Sequence, residues 1–396
     1  MSGPKLLDGT RVLDLSRVLA GPWCGQLLAD YGADVIKVER PGLGDDTRAW
    51  GPPYWGDPKQ RMAAYYLSAN RGKRSIAIDM ATAEGAALVR QLAGQADVLL
   101  ENYKVGQLAK FGLDHASLRA INPRLVYCSI TGYGQDGPYA PNAGYDFAIQ
   151  ATGGLMSITG EKDGTPGSEP QKVGVAVADL MTGVYATTAI LAALVERGRT
   201  GLGRHIDAAL LDTQVAMLAN QASNLLVGGI TPKRMGNAHL NVVPYQVFAT
   251  RDGHIVLAVG NDGQFARFCE MNGQAALAQD PRFLTNSQRI EHRVELIPIL
   301  ARWMLARSTA EWTALLEPNG VPCAPILELP EVFKHPQVVS RGMQLRLDGL
   351  PMIGTPMRFD GERPVADLPP PQLDEHGDAL RRALAGGDGW PQVEPL

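Results

Sequence analysis

The chain has 396 residues, of which 45% are hydrophobic and 20% are charged, and 37 basic against 41 acidic side chains give a net charge of −4. This length exceeds the size at which a single core usually keeps growing, so two domains are expected. The balanced charge argues against a nucleic-acid-binding protein, which normally carries a clustered basic excess.

The first 130 residues alternate strand-like and helix-like segments. Apolar runs predict buried strands, and the first of two predicted helices has Pro22 at its start and Gly32 just after its end. The strands are predicted at residues 11–15, 34–39, 75–79, 97–101 and 125–130, and the helices at residues 22–31 and 84–96. This order is typical of a parallel, doubly wound sheet, in which ligands bind beyond the carboxyl ends of the strands.

The most informative segment contains one carboxylate, Asp179, in an almost wholly apolar run that continues as a predicted helix over residues 180–195. A carboxylate in such surroundings costs free energy unless it is hydrogen-bonded or exposed to a site. Asp179 is therefore a helix N-cap, a working carboxylate or both, since backbone amides at a helix start keep a carboxylate ionised. The run is long enough to cross a bilayer, but its Asp, Gly and Thr residues favour a buried helix, so no membrane partner is expected.

The second half of the chain predicts a smaller unit. A strand and a helix are expected within residues 205–225, and strands near residues 245–248 and 254–259 precede helices over 264–271 and 293–307. One further helix is predicted at residues 377–385. The fold class is therefore α/β, and the predicted parts are a large Rossmann-like domain over 1–205 completed by 340–396, a small α+β domain over 228–325, and linkers at 206–227 and 326–339.

Several familiar site patterns are absent from the sequence. The turn after the first strand lacks the Gly-x-Gly-x-x-Gly of dinucleotide binding, and the Gly-rich turn at residues 131–138 lacks the end of a P-loop. The four cysteines lie far apart without metal-ligand spacing, so we expect no metal and no permanently bound cofactor. Reduced thiols and the absence of a signal-like segment in residues 1–9 lead us to expect a cytoplasmic protein. The residues alone reach an α/β enzyme with an aspartate in a buried segment.

A set of short motifs, taken in order, resembles the class III coenzyme A transferases. The motifs cover most of the chain and include residues 6–15, 20–22, 32–39, 97–103, 132–134, 137–138 and 321–325. The resemblance implies that coenzyme A (CoA) and acyl-CoA are substrates, and that an aspartate attacks the acyl-CoA to give a mixed anhydride and then an aspartyl-CoA thioester. That aspartate falls on Asp179.

The resemblance also implies a set of CoA contacts. They are Val18, Leu19, Ala20, Arg40, Ile78, Ala81, Asn102, Tyr103, Lys110, Ala143, Tyr145 and Asp146. Two positions depart from the family pattern, because Ala81 stands where a lysine can occur and Lys110 where an arginine is usual. A lysine supplies charge without the bidentate fork of arginine, so Lys110 is the weaker phosphate contact.

Two other functions stay open at this point. The α-methylacyl-CoA racemases of the same family use a histidine where Tyr145 stands, and a phenol with an ordinary pKa of about 10 is a poor substitute for an imidazole. A non-catalytic acyl-CoA-binding protein is the other alternative, against which Asp179 and the Gly-rich turn argue.

The substrate prediction rests on residues 234–246, which resemble the succinyl-CoA-dependent dicarboxylate CoA-transferases such as the glutarate enzyme. A second carboxylate on the acceptor acid needs a cationic or polar clamp, for which Arg48, Lys172 and His239 are the candidates. The family resemblance also implies a homodimer in which two ring-shaped chains are interlocked.

Overall fold

A computed structural model of the chain describes residues 3–58, 61–386 and 389–391. The chain divides into two compact units. The first unit contains residues 1–155, 173–227 and 336–396, and the second contains residues 156–172 and 228–335. Residues 156–172, which we predicted in the large domain, therefore group with the small unit, and so do residues 326–335 of the second predicted linker.

The strands of the described residues fall into four sheets. Their bounds are β1 (Arg11–Asp14), β2 (Asp34–Glu39), β3 (Tyr54–Trp55), β4 (Met62–Ala63), β5 (Lys73–Ala77), β6 (Val98–Glu101), β7 (Val126–Thr131), β8 (His205–Ala209), β9 (Tyr245–Ala249), β10 (His254–Ala258), β11 (Cys323–Pro325), β12 (Gln344–Leu347) and β13 (Leu350–Ile353).

The α-helices lie between and after these strands. Their bounds are α1 (Ala20–Asp30), α2 (Ala64–Leu67), α3 (Ala83–Ala93), α4 (His115–Ile121), α5 (Asp146–Thr152), α6 (Leu155–Ile158), α7 (Val177–Thr200), α8 (Leu210–Ala216), α9 (Ala219–Gly228), α10 (Asp262–Met271), α11 (Asn286–Glu291), α12 (Arg293–Met304), α13 (Thr309–Leu316), α14 (Leu329–Val332), α15 (Pro336–Ser340) and α16 (Gly377–Gly386).

The main sheet of the first unit has six strands in the order β5-β2-β1-β6-β7-β8, and all neighbours are parallel. This Rossmann-like sheet confirms the predicted fold class. The structure corrects the first predicted linker, residues 206–227: its start belongs to β8, which pairs with β7, and α8 and α9 follow in the same unit. The strand and the helix expected within residues 205–225 are therefore present, as the edge strand β8 and the helix α8, and only their assignment to a linker was wrong.

Two apolar cores cover the faces of the six-stranded sheet. One joins side chains of β1, β2, β6 and β7 to α1 and α7, and includes Val12, Leu28, Val98 and Ile190. The other joins the opposite faces of these strands to α3, α4 and α16. Strands buried on both faces read as continuous apolar runs, which is why their positions could be predicted.

Helix α7 begins at Val177, earlier than predicted, and ends before Gly201 in the left-handed conformation. In the described residues it is the single helix long and apolar enough to cross a membrane by length and composition. In this structure Ala186 and Ile190 pack in the first core, and Gly183 lies against α1. A Cβ at Gly183 would be 2.7 Å from the carbonyl oxygen of Ala20, so glycine permits this close helix contact.

The second unit has its own core. The antiparallel sheet β11-β10-β9 packs with α10, α12 and α13 around aromatic side chains that include Phe265, Phe268 and Trp312. Capping boxes at Thr285 and Ser308 begin α11 and α13. The two strands and the helices predicted for the small domain are present in this unit.

Candidate active site

The carboxyl ends of β1, β2, β5, β6 and β7 border two cavities of the first unit that share three lining residues, Arg17, Tyr103 and Gln107. We call them the outer cavity, of about 240 Å³, and the inner cavity, of about 230 Å³. Arg40, Ile78 and Ala81 line the outer cavity. Asp179 lines the inner one. Together they form one cleft at the edge of the sheet where ligands of parallel α/β folds bind.

Asp179 is half-buried, and in the described part of the chain its carboxylate has no hydrogen-bond or ion-pair partner. Burial, and after it the nearby carboxylate of Asp146, together raise the pKa of Asp179 to about 7. The raised pKa differs from the expectation that amides at the helix start keep this carboxylate ionised. This carboxylate titrates near neutral pH.

Asp146 takes the capping role that we considered for Asp179. Asp179 lies in the third position of α7, and Ala176 stands at the N-cap without a side-chain hydrogen bond. One carboxylate oxygen of Asp146 accepts the backbone N–H groups of Ala178 at 2.8 Å and Asp179 at 3.3 Å. The amides that were expected to stabilise Asp179 are therefore occupied by another acid.

The turn after β1 is held in a strained conformation beside the cleft. Val18 has a φ of 71°, in the left-handed region that a β-branched residue rarely adopts. Its N–H donates to both carboxylate oxygens of Asp45 at 3.3 Å. Asn102 accepts the N–H of Arg17 at 2.9 Å and donates to its carbonyl oxygen at 2.7 Å. These bonds fix Val18, Leu19 and Ala20 along the inner cavity.

The Gly-rich turn after β7 needs glycine because two backbone segments pack closely together near the site. Gly132 and Gly144 both line the inner cavity, and a Cβ on either would lie 2.4 Å from the Cα of the other. Two backbones can approach this closely only where neither residue has a side chain. The contact holds the segment of Ala143 and Tyr145 against the end of β7.

A buried ion pair lies in the wall of the outer cavity. Lys37 and Asp45 pair at 3.0 Å with both side chains fully buried. Burial lowers the pKa of Lys37, but Asp45, Asp14 and Glu39 outweigh it, so that the pKa is raised overall and the lysine stays charged. Its Nζ also donates to the carbonyl oxygen of Ser16 at 2.7 Å, so this lysine supports the strained turn.

Arg48 has a different role from the predicted substrate clamp. Its Nε and Nη2 donate to the two carboxylate oxygens of Glu39 at 2.8 and 2.7 Å, and Nη2 also donates to the hydroxyl of Tyr66 at 2.7 Å. The guanidinium stacks 3.8 Å from the centre of the Tyr66 ring, and the side chain is 12% exposed. A side chain held on so many sides stabilises the fold and does not line the cleft.

The structure brings most of the predicted CoA contacts together. Those that line the cleft are Val18, Leu19, Ala20, Arg40, Ile78, Ala81, Asn102, Tyr103, Ala143 and Tyr145, with Asp179 at the inner end.

Four other predicted site residues lie elsewhere. Lys110 is exposed and lines neither cavity, and Asp146 caps α7. Lys172 and His239 belong to the second unit. His239 accepts the N–H of Asn241 through Nδ1 at 3.0 Å, and its ring packs against Tyr245.

The predicted contacts did not include Arg17, Lys104 and Gln107, which also line the cleft, although Arg17 follows the first predicted strand, where a ligand was expected. Arg17 lines both cavities, and its guanidinium lies 5.3 Å from the centre of the Tyr103 ring and 3.0 Å from Asp46. Its position three residues after β1 was the available signal, because Arg40 follows β2 at the same edge of the sheet. Among the described residues, no group of three or more His, Cys, Asp or Glu side chains is placed to hold a metal ion.

Comparisons with known proteins agree with this geometry. Residues 7–377 match CoA-transferase family III. The chain is 52% identical to a succinate–glutarate CoA-transferase of Agrobacterium fabrum, with 93% of each chain covered. It is 43% identical to a succinyl-CoA:glutarate CoA-transferase of Homo sapiens, covering 95% of this chain and 85% of the human one.

A solved structure shows the same fold. A CAIB/BAIF family protein from Brucella suis is 51% identical and superposes with a TM-score of 0.85, covering 97% of this chain and 100% of the other. The match over nearly the whole length and the aspartate at the inner end of the cleft lead to one conclusion. The chain belongs to CoA-transferase family III and is a CoA-transferase.

Proposed function

We propose that this enzyme transfers CoA from succinyl-CoA to a dicarboxylic acid such as glutarate, with Asp179 as the nucleophile. The observation that carries the catalytic part is the half-buried carboxylate of Asp179, without a cation, at the inner end of the cleft. The names of the relatives at 52% and 43% identity support the donor and the acceptor.

The proposed chemistry needs four bond exchanges at Asp179. Its carboxylate attacks the thioester carbonyl of the donor, the C–S bond breaks, and a mixed anhydride and CoA thiolate result. The thiolate then attacks the aspartyl carbonyl, which releases succinate and leaves an aspartyl-CoA thioester. The acceptor carboxylate next attacks this thioester, which gives a second mixed anhydride and releases CoA thiolate. The thiolate then attacks the acyl carbonyl of the acceptor, so that acceptor-CoA leaves and the Asp179 carboxylate is regenerated.

The raised pKa of Asp179 suits this role. A carboxylate that is poorly stabilised by its surroundings is a more basic nucleophile than an ordinary aspartate, yet at a pKa of about 7 it is still ionised in a large fraction of molecules at neutral pH. Acylation also replaces a costly partly buried anion by a neutral group.

Binding of CoA is proposed along the cleft, with the nucleotide in the outer cavity and the thioester in the inner one. Arg40 and Arg17 supply positive charge for phosphate oxygens. We expect Arg40→Met and Arg17→Met to raise the KM for succinyl-CoA about tenfold. Arg119→Met, at an exposed position of α4, is the matched control and leaves the KM unchanged. Lys110→Met tests whether Lys110 contacts CoA. Because Lys110 lines neither cavity, we expect the KM of this variant to equal that of the control.

The test of the function is a CoA-exchange assay with succinyl-CoA and a panel of acceptors, namely glutarate, malate, itaconate and carnitine. Glutarate is expected to be the best acceptor, and Asp179→Asn to reduce kcat by at least about a thousandfold. An active Asp179→Asn enzyme would refute the mechanism, and preference for carnitine would refute the acceptor class. Solvent α-proton exchange on a 2-methylacyl-CoA would instead favour a racemase, but among the described residues no histidine lines the inner cavity.

The oligomeric state and the location are also proposals. The family resemblance supports a homodimer of interlocked chains, and the four unpaired cysteines are compatible with a reducing, cytoplasmic location. Light scattering after size-exclusion chromatography tests the first proposal, for which the mass of a dimer is expected. Fractionation of the native cells tests the second.

A further inference from the structure

Asp146 connects two elements at the inner end of the cleft. It is the first residue of α5, and it reaches the first turn of α7 through the N–H groups of Ala178 and Asp179. Its other carboxylate oxygen accepts from the side-chain amide of Gln150 at 2.7 Å. The fully buried Gln150 in turn accepts the N–H of Val173 at 2.9 Å. One acid therefore fixes both the start of α7 and the segment that leads into it.

These contacts commit the side chain of Asp146 to the protein, and its predicted role as a CoA contact stays a prediction. Both of its carboxylate oxygens already accept hydrogen bonds from the protein, and its side chain does not line either cavity. It also has no cation partner within the described residues, so its charge is not neutralised beside Asp179.

Few other charges act on Asp179. Its inner cavity is bordered by α1, β7 and α8 through uncharged residues such as Ala20, Ile130 and Leu210. Tyr65 also lies within electrostatic reach, since burial and then the charge of Asp179 raise its pKa. The charged or titratable groups that share the cavity are Arg17, Asp46, Tyr103, Lys104 and Tyr145, and none of them forms a hydrogen bond or ion pair with Asp179.

We propose that Asp146 is a positioning residue of the transfer reaction, which orients Asp179 through the α7 amides and, as a fixed anion, favours acylation of Asp179. The proposal rests on the proposed function. When the Asp179 oxygen attacks the thioester carbonyl, the C–S bond breaks and the negative charge passes from Asp179 to the CoA sulfur. An anion held beside Asp179 repels the negative charge of the Asp179 carboxylate before the step. This repulsion is lost once the charge has moved to the sulfur.

The experiment separates the hydrogen bonds from the charge. Asp146→Asn keeps an acceptor oxygen for the α7 amides but is neutral and loses the bond from Gln150, Asp146→Glu keeps the charge, and Asp146→Ala removes the charge and all acceptors. Asp212→Asn, at an exposed position of α8, is the control for losing one acid from the same unit. The measured quantity is kcat/KM for succinyl-CoA between pH 5.5 and 9, which reports ionisations of the free enzyme.

The expected result is a change in the pH profile. The wild type loses activity below an inflection near pH 7, where Asp179 becomes protonated. In Asp146→Asn the inflection moves to lower pH and kcat/KM at pH 8.5 falls about threefold to tenfold, so that the ratio of variant to wild type rises as the pH falls. Asp146→Glu keeps the wild-type inflection, and Asp146→Ala loses more activity and has a lower unfolding temperature.

A ratio of Asp146→Asn to wild type that stays constant with pH would overturn the proposal, because a purely structural effect of the variant has no reason to follow the ionisation of Asp179. A shifted inflection in Asp146→Glu would also overturn it. Failure of the proposed function is a separate outcome, recognised by full exchange activity in Asp179→Asn whatever the Asp146 variants do.

Discussion

Asp14 and Asp179 are two aspartates of the first unit with opposite surroundings. Asp14 ends β1, is fully buried, and accepts from the Nζ of Lys73 at 2.9 Å. Burial alone raises the pKa of Asp14, but Lys73 and Lys37 outweigh it and hold the pKa below its usual value. Asp179 is less buried, yet among the described residues the charge that shifts its pKa is that of another acid, and with burial it raises the pKa to about 7. A paired acid stabilises the fold, whereas an unpaired one beside a cavity is available for chemistry.

The largest expected effect comes from breaking the paired site. Lys73→Met leaves Asp14 buried without its cation. It also removes the hydrogen bonds that the Nζ of Lys73 donates to Asn70 and to the carbonyl oxygen of Pro22. We expect the free energy of unfolding of the first unit to fall by about 3–5 kcal/mol, measured as the shift of the urea midpoint.

Arg204→Met is the matched control for that variant. It removes a cation whose partner, Glu196, lies on the surface, with the arginine side chain 61% exposed. The expected loss is much smaller than that of Lys73→Met, because solvent screens an exposed pair. Equal losses in the two variants would show that burial does not distinguish the pairs.

A smaller effect is expected from the contact that holds α7, and with it Asp179, against α1. Gly183→Ala places a methyl group 2.7 Å from the carbonyl oxygen of Ala20 and should reduce the free energy of unfolding by about 1–3 kcal/mol. Gly198→Ala on the same helix meets no atom within 4 Å and should instead stabilise by about 0.5–1 kcal/mol. Thermal unfolding of both variants checks the opposite signs, and a stabilised Gly183→Ala protein would contradict the close contact.

The smallest expected effect is on the free energy of unfolding, which the ionised and unpaired Asp179 lowers. Because the pKa of Asp179 is higher in the folded chain than in the unfolded one, its ionisation destabilises the fold progressively from about pH 4 to pH 7 and by a constant amount above pH 7. Asp179→Asn removes this cost, so we expect it to be more stable than the wild type at pH 8 by about 1–2 kcal/mol, after allowance for partial exposure.

Unfolding temperatures at pH 4.5 and pH 8 test this prediction. The stability difference between Asp179→Asn and the wild type should be small at the lower pH and larger at the higher one. A difference that is the same at both values would mean that Asp179 has an ordinary pKa in the folded chain.

The same pair of residues shows what the sequence could and could not predict. Asp14 stands between Leu13 and Leu15, and Asp179 stands between Ala178 and Leu180, so both are acids in apolar runs. The runs themselves predict the buried strand and the long helix, because burial on both sides of an element needs continuous apolar sequence. The partners are not predictable in this way, since Lys73 and Asp146 reach these two acids from distant parts of the chain.

The cleft was predictable to the extent that its residues follow strands directly. Arg40 and Asn102 come just after β2 and β6, and topology brings such positions to one edge of the sheet. Arg48 was misassigned because its pairing with Glu39 depends on the turn between them, which has no regular pattern. The capping role of Asp146 was missed for a similar reason, because its hydrogen bond to Ala178 joins two helices across 32 positions of the chain.

In the proposed mechanism, Asp179 carries the group that is transferred. The most direct test of this role is mass spectrometry of the peptide that contains Asp179, after the enzyme is mixed with succinyl-CoA and quenched with acid. We expect that this peptide gains the mass of CoA less one water, that glutarate removes the adduct with formation of glutaryl-CoA, and that Asp179→Asn forms none. Exchange that proceeds without an adduct on Asp179, or with an adduct on another residue, would contradict it.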